Sequence, residues 1–256
     1  MTDITETQAN ILNDIAAAFS LLTRLPIPVD HEAAGKRAAI ATWAYPLVGA
    51  VLGLIAGIIG NLLCWFGAPA SIAVIAALGT LAILTGGMHE DGLADCADGF
   101  GGAYEKETRL EIMKGSRIGA YGAIALILFM LGRYGSFEVL INTSFIPALI
   151  AVGAASRLPM VLAMYAMPHA RDTGLSVNVG KPPETSLSIA IVLTLLICFL
   201  FIGWSGIFVF GWAIIAAVAM GLIAMRAIGG QTGDVLGAMQ QWAELGALGA
   251  ALAALT

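Results

Sequence analysis

Residues 43–66 read WAYPLVGAVLGLIAGIIGNLLCWF and hold no charged side chain. A run of about 20 apolar residues is enough to cross the hydrocarbon of a bilayer. Further apolar runs lie at roughly 70–87, 118–134, 139–156, 187–203, 206–225 and 234–255, those at 70–87, 118–134 and 187–203 being short. Composition agrees: of 256 residues, 59% are hydrophobic and only 11% charged, which excludes an ordinary soluble domain. The expected fold is therefore all-α: a polytopic integral membrane helical bundle of about seven transmembrane helices, one membrane domain over 1–256. No apolar run sits at the extreme N-terminus behind basic residues, so no cleaved signal peptide is expected. Cys64, Cys96 and Cys198 lie too far apart to form a metal or disulfide pattern.

Charge distribution gives an orientation. Seven spans in this order place eleven of the 12 lysines and arginines on one side of the membrane and Arg133 alone on the other. Basic residues near span ends mark the cytoplasm. The N-terminus and two long loops, about 88–117 and 157–186, are thus expected inside, and the C-terminus outside. Segment 11–25, ILNDIAAAFSLLTRL, places Ile11, Ile15, Phe19 and Leu22 at helical spacing but is too short to span. It reads as an N-terminal interfacial helix ended by Pro26 and Pro28. Glycines within the spans, as in GAVLGLIAGIIG at 49–60, fit close helix–helix contact. The bilayer is one partner, no nucleic acid is expected, and the oligomeric state stays open.

Against this apolar background stands GGMHEDGLADCADGFGG at 86–102. If it continues helically from the second span, Asp91, Asp95 and Asp98 fall at i, i+4 and i+7, within about 60° on one face. Like charges so placed repel. A hard divalent cation reverses the sign: Mg²⁺ takes oxygen ligands, usually carboxylates together with substrate phosphates. The flanking glycines allow backbone to approach a ligand; a solvated acidic loop is the plainer alternative. His89 is a hydrogen-bonded structural residue or a metal-adjacent, substrate-contacting one, while Glu90 points away from the triad.

Two further clusters share the cytoplasmic face. KGSRIGAYG at 114–122 offers Lys114, Ser116 and Arg117 to phosphate oxygens, although basic residues there also satisfy the positive-inside rule. Arg157, in AASRLP, is read in the same way. GGQTGD at 229–234 supplies Gln231 and Thr232 as hydrogen-bonding groups and Asp234 as a further carboxylate, or as a helix cap. Glu244, at membrane depth, is functional or paired. The Gly-Lys of SVNVGKPP at 176–183 is much too short for a phosphate loop.

Together, GGMHEDGLADCADGFGG, MKGSRIGAYG, Ser156-Arg157 and GGQTGDVLGA resemble the adenosylcobinamide-GDP ribazoletransferases, or cobalamin synthases, over essentially the whole chain. The family often carries an acid before Ser-Arg-Ile-Gly, where this chain has Gly115. The resemblance implies a multi-pass enzyme of the bacterial plasma (inner) membrane that joins adenosylcobinamide-GDP to α-ribazole, or its 5′-phosphate, and releases GMP with Mg²⁺. Asp91, Asp95, Asp98 and Asp234 are then the expected metal-binding and catalytic carboxylates. His89, Lys114, Ser116, Arg117, Arg157, Gln231 and Thr232 are the expected substrate contacts. Two other readings are weaker. A CDP-alcohol phosphotransferase shares Asp95, Asp98 and Gly99 but lacks its following Ala-Arg and later aspartate pair. An ion-coupled transporter places such groups at the midplane of repeated halves, and no repeat is visible.

Overall fold

The apolar runs all form helices, and the polar stretches between them form shorter ones. The computed structural model describes residues 2–256. In chain order the helices are α1 (Thr2–Leu22), α2 (His31–Ala41), α3 (Tyr45–Trp65), α4 (Ala70–Thr85), α5 (Met88–Gly102), α6 (Lys106–Ile112), α7 (Ala120–Leu140), α8 (Phe145–Ala166), α9 (Leu175–Val179), α10 (Glu184–Ile202), α11 (Ser205–Ile228) and α12 (Gly233–Leu255). A single 3-10 turn, Thr42–Ala44, joins α2 to α3. No strand occurs among the described residues.

At the centre stands α8, buried along nearly its whole length. Glycines make that packing possible. A Cβ on Gly49 or Gly53 of α3 would strike the carbonyl of Gly153 or Leu149 on α8, and one on Gly60 would lie 2.6 Å from the Phe145 ring. Small residues at four-residue spacing thus bring the two backbones into contact, which is how helices associate in lipid. Outward faces remain apolar: Ile127 and Leu131 on α7, Val192 and Leu200 on α10, and Phe208 and Trp212 on α11 are all exposed. Such faces belong against lipid. The chain is a helical membrane bundle.

Several expectations need correction. Of the seven expected spans, five are helices long and apolar enough to cross alone, α4 counts as a sixth only together with α5, and α12 is less apolar than the rest. With 16 residues α4 is short, and α12 carries Gln240, Gln241 and Glu244 inward. Nor does the acidic stretch continue the second span. Gly86 and Gly87 both adopt left-handed φ, 68° and 69°, and α5 leaves α4 at 86°. Only glycine takes two such steps cheaply. As a result α5 lies across the end of the bundle, outside the spans. The expected loop 157–186 begins at 167, because 157–166 belongs to α8.

Nor does α1 rest alone on the interface. Ala17, Ala18 and Leu22 are buried against the bundle. Asp14 accepts from the Arg37 Nε and Nη2 at 2.7 and 2.9 Å and from Trp43 Nε1 at 3.2 Å. Arg133, expected in an outer connection, sits inside α7 at 1% exposure. Arg157 likewise sits inside α8, and the other ten lysines and arginines lie at the end of the bundle that carries α5, with none in the connections 66–69, 141–144 and 203–204.

Candidate active site

All three polar motifs meet on α5. The start of α12 packs against Gly92, where a Cβ would come within 2.6 Å of the Asp234 carbonyl. Gly237 of α12 similarly admits the backbone of His89. The motif at 114–122 is joined through Asp98, whose carboxylate accepts from the backbone N–H of Gly119 at 2.6 Å and of Gly122 at 2.8 Å. A Cβ on either glycine would collide with that carboxylate. Gly119 and Gly122 thus make room for a protein side chain. Asp98 therefore caps α7, where unpaired N–H groups and the helix dipole both favour an anion, and each of its oxygens already accepts one backbone hydrogen bond.

Asp91 and Asp95 remain on the face that α5 turns to solvent. They line a cavity of about 900 Å³ at the end of the bundle, with Arg24 from the segment after α1 and Ser116 and Arg117 from the segment before α7. Two carboxylates and two guanidinium groups thus share one open chamber, which can hold a phosphorylated ligand and a cation at once. Burial, then the carboxylates of Asp91, Asp234 and Asp98, push the Asp95 carboxyl up to about 7 against the pull of Arg171. These acids crowd one another, and a bound cation would relieve them.

Asp234 stands behind that wall. It ion-pairs with Arg171 at 3.2 Å and accepts from the Thr232 hydroxyl at 3.1 Å. Thr232, not Asp234, caps α12, accepting from Val235 N–H at 3.3 Å. Gln231 is fully buried against His169 at 2.9 Å and does not line the chamber. Lys114 is exposed near the mouth and also stands off the wall. His89 lies beneath the chamber at 1% exposure, and neither ring nitrogen has a hydrogen-bond partner. Burial first, and Arg157 next, lower its pKa to about 3, so the ring is neutral.

Arg157 does not contact the chamber. It is buried in mid-α8 at 3% exposure, 3.6 Å from Glu244, and donates to Ser156 Oγ at 2.8 Å. Arg133 completes the group, with Nη1 2.8 Å from Glu90 and Nε 3.0 Å from Glu244, the latter an ion pair whose N–H is turned off the oxygen. Gln240 donates to Glu244 at 2.7 Å and Gln241 to Glu90 at 3.2 Å. Two glutamates and two arginines from four helices balance in charge, and Glu90 ties α5 to the bundle. Glu244 is indeed paired. Sequence reasoning missed Arg24 and Arg171 as site residues, having counted them only as positive charge. The break at Pro26 was the available signal for Arg24, and nothing local singles out Arg171.

No group of three or more histidine, cysteine, aspartate or glutamate side chains forms a closed metal cage among the described residues. An open pair of carboxylates is nevertheless what Mg²⁺ uses when phosphates complete its shell.

The profile of the cobalamin-5-phosphate synthase family matches residues 14–252. A protein of Bradyrhizobium diazoefficiens named adenosylcobinamide-GDP ribazoletransferase is 39% identical, over 94% of this chain and 94% of its own. The proteins of that name from Mesorhizobium japonicum and Azorhizobium caulinodans are 40% and 39% identical, covering 100% and 93% of this chain and 99% and 94% of theirs. No solved structure matches this chain. The chain belongs to the cobalamin-5-phosphate synthase family and is an enzyme.

Proposed function

We propose that the chain joins adenosylcobinamide-GDP to α-ribazole, or to its 5′-phosphate, and releases GMP in the chamber walled by Asp91, Asp95, Arg24, Ser116 and Arg117. One observation carries this reading: two carboxylates and two guanidinium groups face the same open cavity in a chain of this family. A ribose hydroxyl of the acceptor attacks the phosphorus attached to the cobinamide arm. The new O–P bond forms as the P–O bond to GMP breaks. The hydroxyl proton passes to an Oδ of Asp91 or Asp95. Arg24 and Arg117 hold the non-bridging oxygens, Arg matching phosphate with its planar fork. Ser116 donates a further hydrogen bond. Phosphoryl transfer needs such positioning and charge neutralisation more than covalent help.

Asp91 and Asp95 would hold Mg²⁺, with Asp234 the nearest further carboxylate behind them. When bound, the ion would draw charge from the pyrophosphate oxygens. In this reading the chamber faces the cytoplasm of a bacterium and the C-terminus lies outside the plasma membrane, because the ten basic residues outside the buried group all lie at the chamber end.

The test is purified protein with adenosylcobinamide-GDP, α-ribazole and Mg²⁺, following GMP. Asp95→Asn and Asp91→Asn should each lower turnover by about a hundredfold or more, with elution as a folded protein unchanged. Normal turnover and unaltered Mg²⁺ dependence in both variants would remove the carboxylate site.

A further inference from the structure

His89 is the polar side chain that the chamber leaves unexplained. Both of its ring nitrogens are buried and without a hydrogen-bond partner. Leaving such a group unsatisfied forfeits its whole hydration, so each native case calls for a reason. The ring borders a second cavity, of about 40 Å³, whose walls include Met88, Met160, Met164, Leu21 and Leu175. Three of these, Leu21, Met88 and Leu175, also line the large chamber, so the two cavities adjoin at apolar side chains.

We propose that this cavity takes the flat base of the acceptor nucleoside, with the imidazole N–H of His89 donating to the base's unsubstituted ring nitrogen. The inference rests on transfer to ribazole as proposed above. The chemistry of the walls selects that group. No cation lines the cavity, so a phosphate is excluded. Its polar side chains are His89, Tyr45 and Ser176, too few for a sugar or for guanine, each of which presents more polar atoms. A benzimidazole-type base is apolar and planar and has one free ring nitrogen.

Reach is consistent with this, and space has to be made. As it stands the cavity has room for a water, and the base enters as the dividing side chains swing aside. Met88, Met160 and Met164 are unbranched thioethers, the side chains best able to repack around a ring. Leu21, Met88 and Leu175 border both cavities, so a base on His89 leaves its ribose at the edge of the chamber that Asp91 and Asp95 line.

The test compares two acceptors, a benzimidazole riboside and its indole isostere, in which a CH replaces the free ring nitrogen. Binding is followed by calorimetry, and kcat/KM by GMP release at saturating adenosylcobinamide-GDP. Wild-type protein should prefer the benzimidazole riboside by about tenfold, the scale of one buried hydrogen bond. His89→Phe should bring that ratio close to one, and His89→Asn, which keeps a donor, should retain part of it. Should His89→Phe fail to fold, Met164→Phe narrows the cavity from another of its lining side chains. It should raise the KM for the acceptor about tenfold while leaving that for the GDP-bearing substrate alone. GMP release with an unchanged ratio in His89→Phe, or an unchanged acceptor KM in Met164→Phe, overturns the base site and spares the transfer reading. Wild-type protein that binds neither riboside overturns both.

Discussion

Replacing Arg133 with methionine keeps much of its volume and removes the positive charge that lies 2.8 Å from Glu90 and 3.0 Å from Glu244. The two glutamates are not left equal. Glu244 still has Gln240 at 2.7 Å and Arg157 at 3.6 Å. Glu90 is left with Gln241 at 3.2 Å and no cation. Breaking a buried ion pair from one side costs about 3–5 kcal/mol, because the partner charge stays buried and uncompensated. At 1.4 kcal/mol per power of ten, that is a loss of roughly two to three and a half powers of ten in the folded-to-unfolded ratio. Thermal unfolding of the detergent-solubilised protein can be followed by tryptophan fluorescence, since Trp242 on α12 packs against Phe129 on α7 at 5.9 Å. Arg133→Met should unfold at a clearly lower temperature. Adding Glu90→Gln should recover part of the loss, because the stranded charge is then gone. If Arg133→Met unfolds with the wild type, or if Glu90→Gln lowers its stability further, the four charges do not act as a balanced group.

Three other outcomes follow from the geometry. Asp98→Ala should cost about 0.5–2 kcal/mol of stability through the lost cap on α7, and Asp98→Asn, which can accept from only one of the Gly119 and Gly122 N–H groups, should also lose stability while GMP release by the folded protein persists; a collapse of turnover in the folded Asn variant would return Asp98 to the chemistry. Gly153→Val should yield protein that elutes as aggregate, since its Cβ meets the Gly49 carbonyl of α3, a backbone clash beyond the roughly 1–3 kcal/mol of ordinary overpacking. A cysteine introduced at Thr256, with Cys64, Cys96 and Cys198 replaced by alanine, should react with a membrane-impermeant maleimide from the outer side of oriented vesicles, and reaction from the inner side alone would invert the topology.

Much was legible in the chain because membrane residence and motif chemistry are local properties. Apolar runs such as 43–66 specify helices by length alone, since an unpaired backbone cannot lie in lipid. The acidic stretch at 86–102 marks itself by its contrast with everything around it. The positive residues mark one end of the bundle by counting. What the sequence could not supply was the partner of each polar side chain. Asp98 lies at the correct helical spacing for the triad, yet its carboxylate is taken by N–H groups of Gly119 and Gly122, more than twenty residues away. Arg133 and Arg157 look like residues at span ends, and become a buried charge pair only when α5, α7, α8 and α12 converge on Glu90 and Glu244. Arg24 reaches the chamber because two left-handed glycines turn α5 through 86° beneath it. Spacing along a helix decides which side chains share a face. Which of those faces meets water, lipid or a counter-charge is decided by the crossing of helices distant in sequence.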